Sequence, residues 1–166
     1  MKINFSDEEP IISKYSIFLA GPTLRNSSYD NSWRKEAVRI LKEAKFDGVV
    51  YIPEYSKERF VETEETMTAE IEWEWETMES AGVVLFWVPR NNTSLPGFTT
   101  NIEFGRCITL RPESTVLGFP KNAVKTQYID MLYTRLSGRS STSTLAGTVL
   151  RAITLLDDIN RIKKVV

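Results

Sequence analysis

Residues 82–88 read GVVLFWV, a run with no charge and no polar break, built largely of β-branched and aromatic side chains. A strand with one wet face alternates apolar and polar residues, so an unbroken run of this kind describes a strand covered on both faces. Its neighbours in sequence repeat the pattern. Residues 15–20 (YSIFLA) stop at Gly21-Pro22, residues 48–52 (GVVYI) stop at Pro53, and residues 115–119 form a fourth short run. Residues 15–20 are expected to be the first strand of the chain.

Helical spacing fills the gaps between these runs. Behind Asn31 and Ser32, which can cap, Trp33, Ala37, Ile40, Leu41 and Ala44 recur on one face. Over residues 66–80 acids alternate with apolar residues, and Met67, Ile71, Trp75 and Met78 predict a helix with that stripe buried. A third helix is expected from Thr99 or Thr100 to about Leu110, after the polar loop of residues 89–96. Two more are expected over residues 124–136 and 144–157, the last with Leu145, Val149, Ala152, Ile153 and Leu156 on one face. The Ser/Thr-rich segment 137–144 reads as a loop or a very brief edge strand. Strands and helices alternating at this spacing imply right-handed crossovers and a parallel sheet. The expected fold is α/β: a flavodoxin-like, Rossmann-like open parallel sheet of about five strands with helices on both faces, in one domain over residues 1–166.

Composition narrows the chemistry. With 42% apolar and 26% charged residues, a chain of 166 residues can bury a core of its own. Lys plus Arg (21) balance Asp plus Glu (22), so no basic surface points to long nucleic acid, and a nucleotide-sized ligand is the expected partner. The segment MKINFSDEEP ahead of the first apolar run resembles neither a signal peptide nor a membrane span, so a cytoplasmic protein with no membrane partner is expected. There is no histidine, which removes His-based triads and the HExxH metalloproteases. Cys107 is alone, so no cysteine cluster can hold zinc, and neither a metal nor a cofactor is expected. It reads as a small residue packed inside its helix. Carboxylates are the most versatile acids, bases and nucleophiles left.

In open α/β sheets, ligands bind beyond the carboxyl ends of the strands where the strand order reverses. Those ends carry LAGPT and the segment that leads to NIEFG. Glu103, near the expected start of the third helix, would have its ionised form favoured by the helix dipole, and a fixed carboxylate there suits attack on an electron-poor sugar carbon. Ordinary charge placement at a helix start explains the same position. Glu74 sits at the edge of the apolar stripe, where a ligand contact and a solvated acid are equally open. Gly21 and Pro22 are either a close-approach site or a simple turn. Thr99, Thr100 and Asn101 can each cap the helix or donate to a ligand's hydroxyls or phosphate; one of them is expected to cap, and Thr100 and Asn101 are the candidate ligand contacts. Of the four tryptophans only Trp33 and Trp73 are candidates to stack on a base, and the core is the commoner place for such residues. No Gly-rich dinucleotide or P-loop pattern is present.

Taken together, IFLAGPT, SWR, GVVYIPE, IEWEWETMESAGVVLFWVPR and LPGFTTNIEFG resemble the nucleoside 2-deoxyribosyltransferase-like family over roughly residues 17–120. The resemblance implies a flavodoxin-like fold, a homo-oligomer built on dimers, and a retaining mechanism in which Glu103 is the nucleophile and Glu74 helps hold the base. Gly21, Pro22, Trp33, Thr100 and Asn101 are the further candidate substrate contacts. The chain departs from the classical transferases at Phe18, where they carry tyrosine, and at Pro96-Gly97-Phe98, where they carry aspartate. The expected function is cleavage or exchange of the N-glycosidic bond of a nucleoside or nucleoside 5′-monophosphate. Two alternatives stand beside it: an NAD-cleaving glycosidase and a nucleotide-binding module without chemistry.

Overall fold

The computed structural model describes residues 1–24, 29–56 and 63–165. Five strands, β1 (Lys2–Phe5), β2 (Ser16–Ala20), β3 (Val49–Ile52), β4 (Val83–Trp87) and β5 (Thr115–Gly118), form one sheet in the order β1-β3-β2-β4-β5. Every pairing is parallel. Five α-helices connect and flank them: α1 (Trp33–Glu43), α2 (Glu64–Ser80), α3 (Phe98–Leu110), α4 (Gln127–Ser137) and α5 (Leu145–Val165). This is the flavodoxin-like open sheet that the strand-helix alternation predicts.

Period-two alternation divides the core between two faces. Ile17, Leu19, Val83 and Leu85 pack against Ala37 and Leu41 of α1 and Val149, Ala152 and Leu156 of α5. Phe18, Ala20, Val84 and Phe86 point the other way, onto Trp73 and Met78 of α2, Phe104 and Ile108 of α3, and Ile129 and Tyr133 of α4. With both faces covered, all five residues of β4 are buried, which is why its sequence shows no alternation. Among the described residues, no helix is long and apolar enough to cross a membrane.

Three expectations are corrected. The first strand is not residues 15–20 but Lys2–Phe5, an edge strand whose mixed burial and polar Lys2 and Asn4 hide it from a search for apolar runs. Second, the stripe assigned to the inside of α2 is largely outside: Met67 is 48%, Ile71 42% and Trp75 58% exposed, while Trp73, Thr77 and Met78 are buried. Trp73 is a core residue, stacked edge-on to Tyr51 and donating its indole N–H to the Glu8 carbonyl at 3.0 Å, and so is unavailable to a base. Third, none of Thr99, Thr100 and Asn101 caps α3. Its cap is Gly97 in the left-handed conformation, with no side-chain cap hydrogen bond. The segment 137–144 contributes only an isolated bridge from Thr142 to Gly118.

Candidate active site

After β2 the chain crosses to β3 on one side, and after β4 it crosses to β5 on the other. The strand order therefore reverses between β2 and β4, and a crevice opens beyond their carboxyl ends. A cleft of about 250 Å³ lies there, lined by Phe18, Gly21, Pro22, Thr23, Arg34, Pro53, Glu74, Pro96, Gly97, Phe98, Thr99 and Glu103. Five segments distant in sequence line it, and three of them bring two carboxylates and one guanidinium to a single hollow.

Gly21 makes the first wall possible. Its φ of 144° disfavours any L side chain, and a Cβ there would lie 2.1 Å from the Trp87 carbonyl oxygen, so only glycine lets the end of β2 turn against β4. Behind this turn lies Arg34, 1% exposed. Its Nε donates to the Leu19 carbonyl at 2.8 Å, its Nη2 to the Gly21 carbonyl at 2.7 Å, and its Nη1 to the Thr23 hydroxyl at 3.1 Å. Nη1 also pairs with Glu54 at the end of β3, and the Ser32 hydroxyl donates to the same carboxylate at 2.6 Å. A buried guanidinium is tolerable only when its donors are used and its charge is answered, and both conditions hold.

The opposite wall is the start of α3. Glu103 is the sixth residue of the helix, one turn beyond the uncapped amides at its start, so it lies deeper than the sequence suggests. Desolvation pushes its carboxyl above the usual carboxylate range, while the Arg34 charge and a hydrogen bond donated by the Thr99 hydroxyl pull it back down. Burial is thus the largest influence on its ionisation, ahead of Arg34 and Thr99. Glu74 of α2 is half-buried and faces the same cleft. Phe18, 1% exposed, supplies an apolar floor where a tyrosine would supply a hydroxyl.

Of the sequence candidates, Glu103, Glu74, Gly21 and Pro22 share the cleft, and Trp33, Thr100 and Asn101 do not line it. Trp33 sits behind the turn, its indole N–H donating to the Pro22 carbonyl at 3.1 Å and its ring carrying the Arg34 guanidinium 4.7 Å from the centroid. Thr100 is buried at 2% exposure. The Asn101 side chain is engaged by Arg90, whose Nη2 donates to it at 2.6 Å. Cys107 is packed inside, where burial pushes its thiol up to about 11 and makes it a poor nucleophile. Among the described residues no cluster of His, Cys, Asp or Glu could hold a metal ion.

A larger hollow of about 600 Å³ lies along the outer side of α1 next to Ile3. Its acids Asp30 and Glu36 are already paired with Lys35 and Arg39, which leaves that hollow without a reactive carboxylate.

Residues 14–122 match the family model for nucleoside 2-deoxyribosyltransferase-like proteins. The chain belongs to that family. The nucleoside 2-deoxyribosyltransferase-like match takes in Gly21, Arg34, Glu54, Glu74 and Glu103, hence the whole cleft, and ends before α4 and α5. No curated protein sequence matches the chain. The residues at or behind the cleft that the sequence left without a role are Arg34 and Glu54. Arg34, on α1, and Glu54, just beyond β3, are far apart in sequence and become partners only in the fold, so the surviving signal is their presence in SWR and GVVYIPE.

Proposed function

We propose that this protein cleaves or exchanges the N-glycosidic bond of a nucleoside or nucleoside 5′-monophosphate, with Glu103 as nucleophile. The observation that carries the reading is the meeting of Glu103 and Glu74 on two walls of one cleft at the reversal of strand order. The C1′–N bond breaks as a Glu103 carboxylate oxygen bonds to C1′, and the base leaves with the bonding electrons. A nitrogen of a second base, or a water oxygen, then attacks C1′ from the face the base vacated and releases Glu103, so configuration is retained. Positive charge develops on the sugar in both steps, and the partly desolvated carboxylate beside C1′ stabilises it. Glu74, across the cleft, is the group for the base edge, donating or accepting according to its proton. The uncapped amides of α3 at Gly97 and Phe98 suit a 5′-phosphate.

A second copy of the chain is the proposed cover for the outer face of α2, α3 and α4. Trp75 (58%), Phe98 (72%), Ile102 (75%), Tyr128 (78%) and Met131 (66%) are exposed there. A Cβ added at Gly105 would meet nothing within 4 Å, leaving room for a neighbouring helix to approach α3 closely. Phe98 also lines the cleft, so a contact on this face reaches the rim of the site.

The test is incubation with nucleosides, their 5′-monophosphates and NAD, with and without a free acceptor base, resolved by chromatography. Release or exchange of a base, lost in Glu103→Gln, is the expected result. If Glu103→Gln keeps more than about a tenth of kcat, a barrier change of only ~1.4 kcal/mol, Glu103 is not the nucleophile. Nicotinamide release from NAD alone makes the protein an NAD glycosidase, and tight binding without turnover makes it a binding module.

A further inference from the structure

The buried pair formed by Arg34 and Glu54 does more than hold a turn. We infer that Arg34 is a positioning residue for Glu103, fixing the Gly21-Pro22 wall opposite it and favouring its ionised form, and that Glu54 limits that effect by neutralising part of the Arg34 charge. The inference rests on the reading of Glu103 as nucleophile. It stands first on geometry. One guanidinium ties together the Leu19 and Gly21 carbonyls, the Thr23 hydroxyl and the Glu54 carboxylate, and lines the same cleft as Glu103. A lysine in its place has a single ammonium and cannot reach four acceptors set in a fan.

Among the described residues, the charges around Glu103 are few. From α1 it faces Arg34, and from α2 Glu74. Its own helix supplies the uncharged Thr99 hydroxyl and the buried Cys107 thiol one turn on, while Arg106, three residues on, is engaged by Glu79. The ends of β2 and β3 contribute Phe18, Gly21, Pro22 and Pro53, all uncharged. Among the described residues Arg34 is thus the cation that counters the desolvation of Glu103, consistent with its lowering effect on that carboxyl. Because Glu54 is paired with that guanidinium and carries the opposite charge, the two neighbours act on Glu103 with opposite sign. Removing the cation makes Glu103 harder to ionise. Neutralising Glu54 leaves the cation unanswered and makes ionisation easier.

The experiment is the pH profile of kcat/KM for base release in the wild type, Arg34→Met, Arg34→Lys and Glu54→Gln, with folding checked by circular dichroism. The acid limb should move to higher pH in Arg34→Met and to lower pH in Glu54→Gln. In Arg34→Lys it should stay closer to the wild type while kcat falls roughly tenfold or more through loss of wall geometry. A merely structural pair would lower rate or stability in all three without moving the limb, and limbs that stay in place, or move the same way in Arg34→Met and Glu54→Gln, overturn the inference. A readout without turnover separates this failure from failure of the proposed reaction. The carbon-13 titration of the Glu103 carboxyl, assigned by its loss in Glu103→Gln, should have a lower midpoint in Glu54→Gln than in the wild type. An unchanged or higher midpoint refutes the role of the pair, whatever the enzyme's substrate. If Arg34→Met does not fold, Glu54→Gln and the titration decide alone.

Discussion

A carboxylate that burial makes reluctant to ionise is a charge held against the preference of the fold. Glu103 has its carboxyl pushed above the ordinary range by desolvation, with Arg34 and Thr99 only partly opposing. In the unfolded chain it titrates near pH ~4.3. The stabilisation carried by its protonated form is complete below that unfolded value and is lost as pH rises through the folded one. Glu103→Gln removes the buried charge and should therefore raise Tm at pH 7, with the gain shrinking as pH falls toward 4. Thermal melts across that range check it, and a variant less stable than the wild type at pH 7 contradicts it. Such a stabilised, inactive variant is what a site residue held for reactivity would give. Residues of this kind were half legible. NIEFG points to Glu103 and its helix-start position suggests a favoured carboxylate, but its burial, which raises the carboxyl, depends on neighbours that only the fold assembles. Arg34 is present in SWR but without a role, because its acceptors lie on two other segments and three of the four are backbone carbonyls or a carboxylate that only the fold brings near.

Elements whose burial is uniform were easiest to read. Strands β2 and β4 are fully buried and announced themselves as apolar runs, while β1 is half wet and did not. Helix α2 was found at nearly the right bounds with the wrong face inward. Its Met67, Ile71 and Trp75 recur at helical spacing, which identifies a helix but not which neighbour covers the stripe, and the sheet covers Trp73, Thr77 and Met78 instead. At α3 the cap residue Gly97 is the element's critical joint. Its φ is 60°, and a Cβ there would lie 3.2 Å from Pro22 Cβ and 3.3 Å from Thr100 Oγ1. Gly97→Ala should cost about 1 kcal/mol through the left-handed conformation, lowering Tm by roughly 2–4 °C. It should also lower kcat/KM by pressing on Pro22, the opposite wall of the cleft. Unchanged melting and kinetics would show that the α3 start adapts freely.

At the scale of the whole molecule, the doubly covered sheet leaves several large apolar side chains exposed on α2, α3 and α4, among them Trp75, Ile102, Tyr128 and Met131. The N-terminal arm does fold back beside α2, since the Glu8 carbonyl accepts from Trp73, but Trp75 stays exposed. Stable interfaces bury on the order of 800 Å² per partner, and a surface holding several large exposed side chains can supply it. Light scattering at micromolar concentration should give the mass of a dimer or a multiple of it. Ile102→Asp, a change at an exposed site of the monomer, should give a monomer with reduced activity. A wild-type protein that is strictly monomeric and fully active would assign closure of the cleft to the chain's own loops. The central claim remains the bond between Glu103 and a sugar, and the most direct measurement is to trap it. A 2-fluoro-substituted nucleoside substrate slows the second displacement by disfavouring the oxocarbenium-like transition state, so the glycosyl-enzyme should accumulate. Mass spectrometry of the digested protein should then place one added glycosyl group on the peptide containing Glu103, absent in Glu103→Gln; turnover of substrate with no adduct there, or an adduct on another residue, would contradict it.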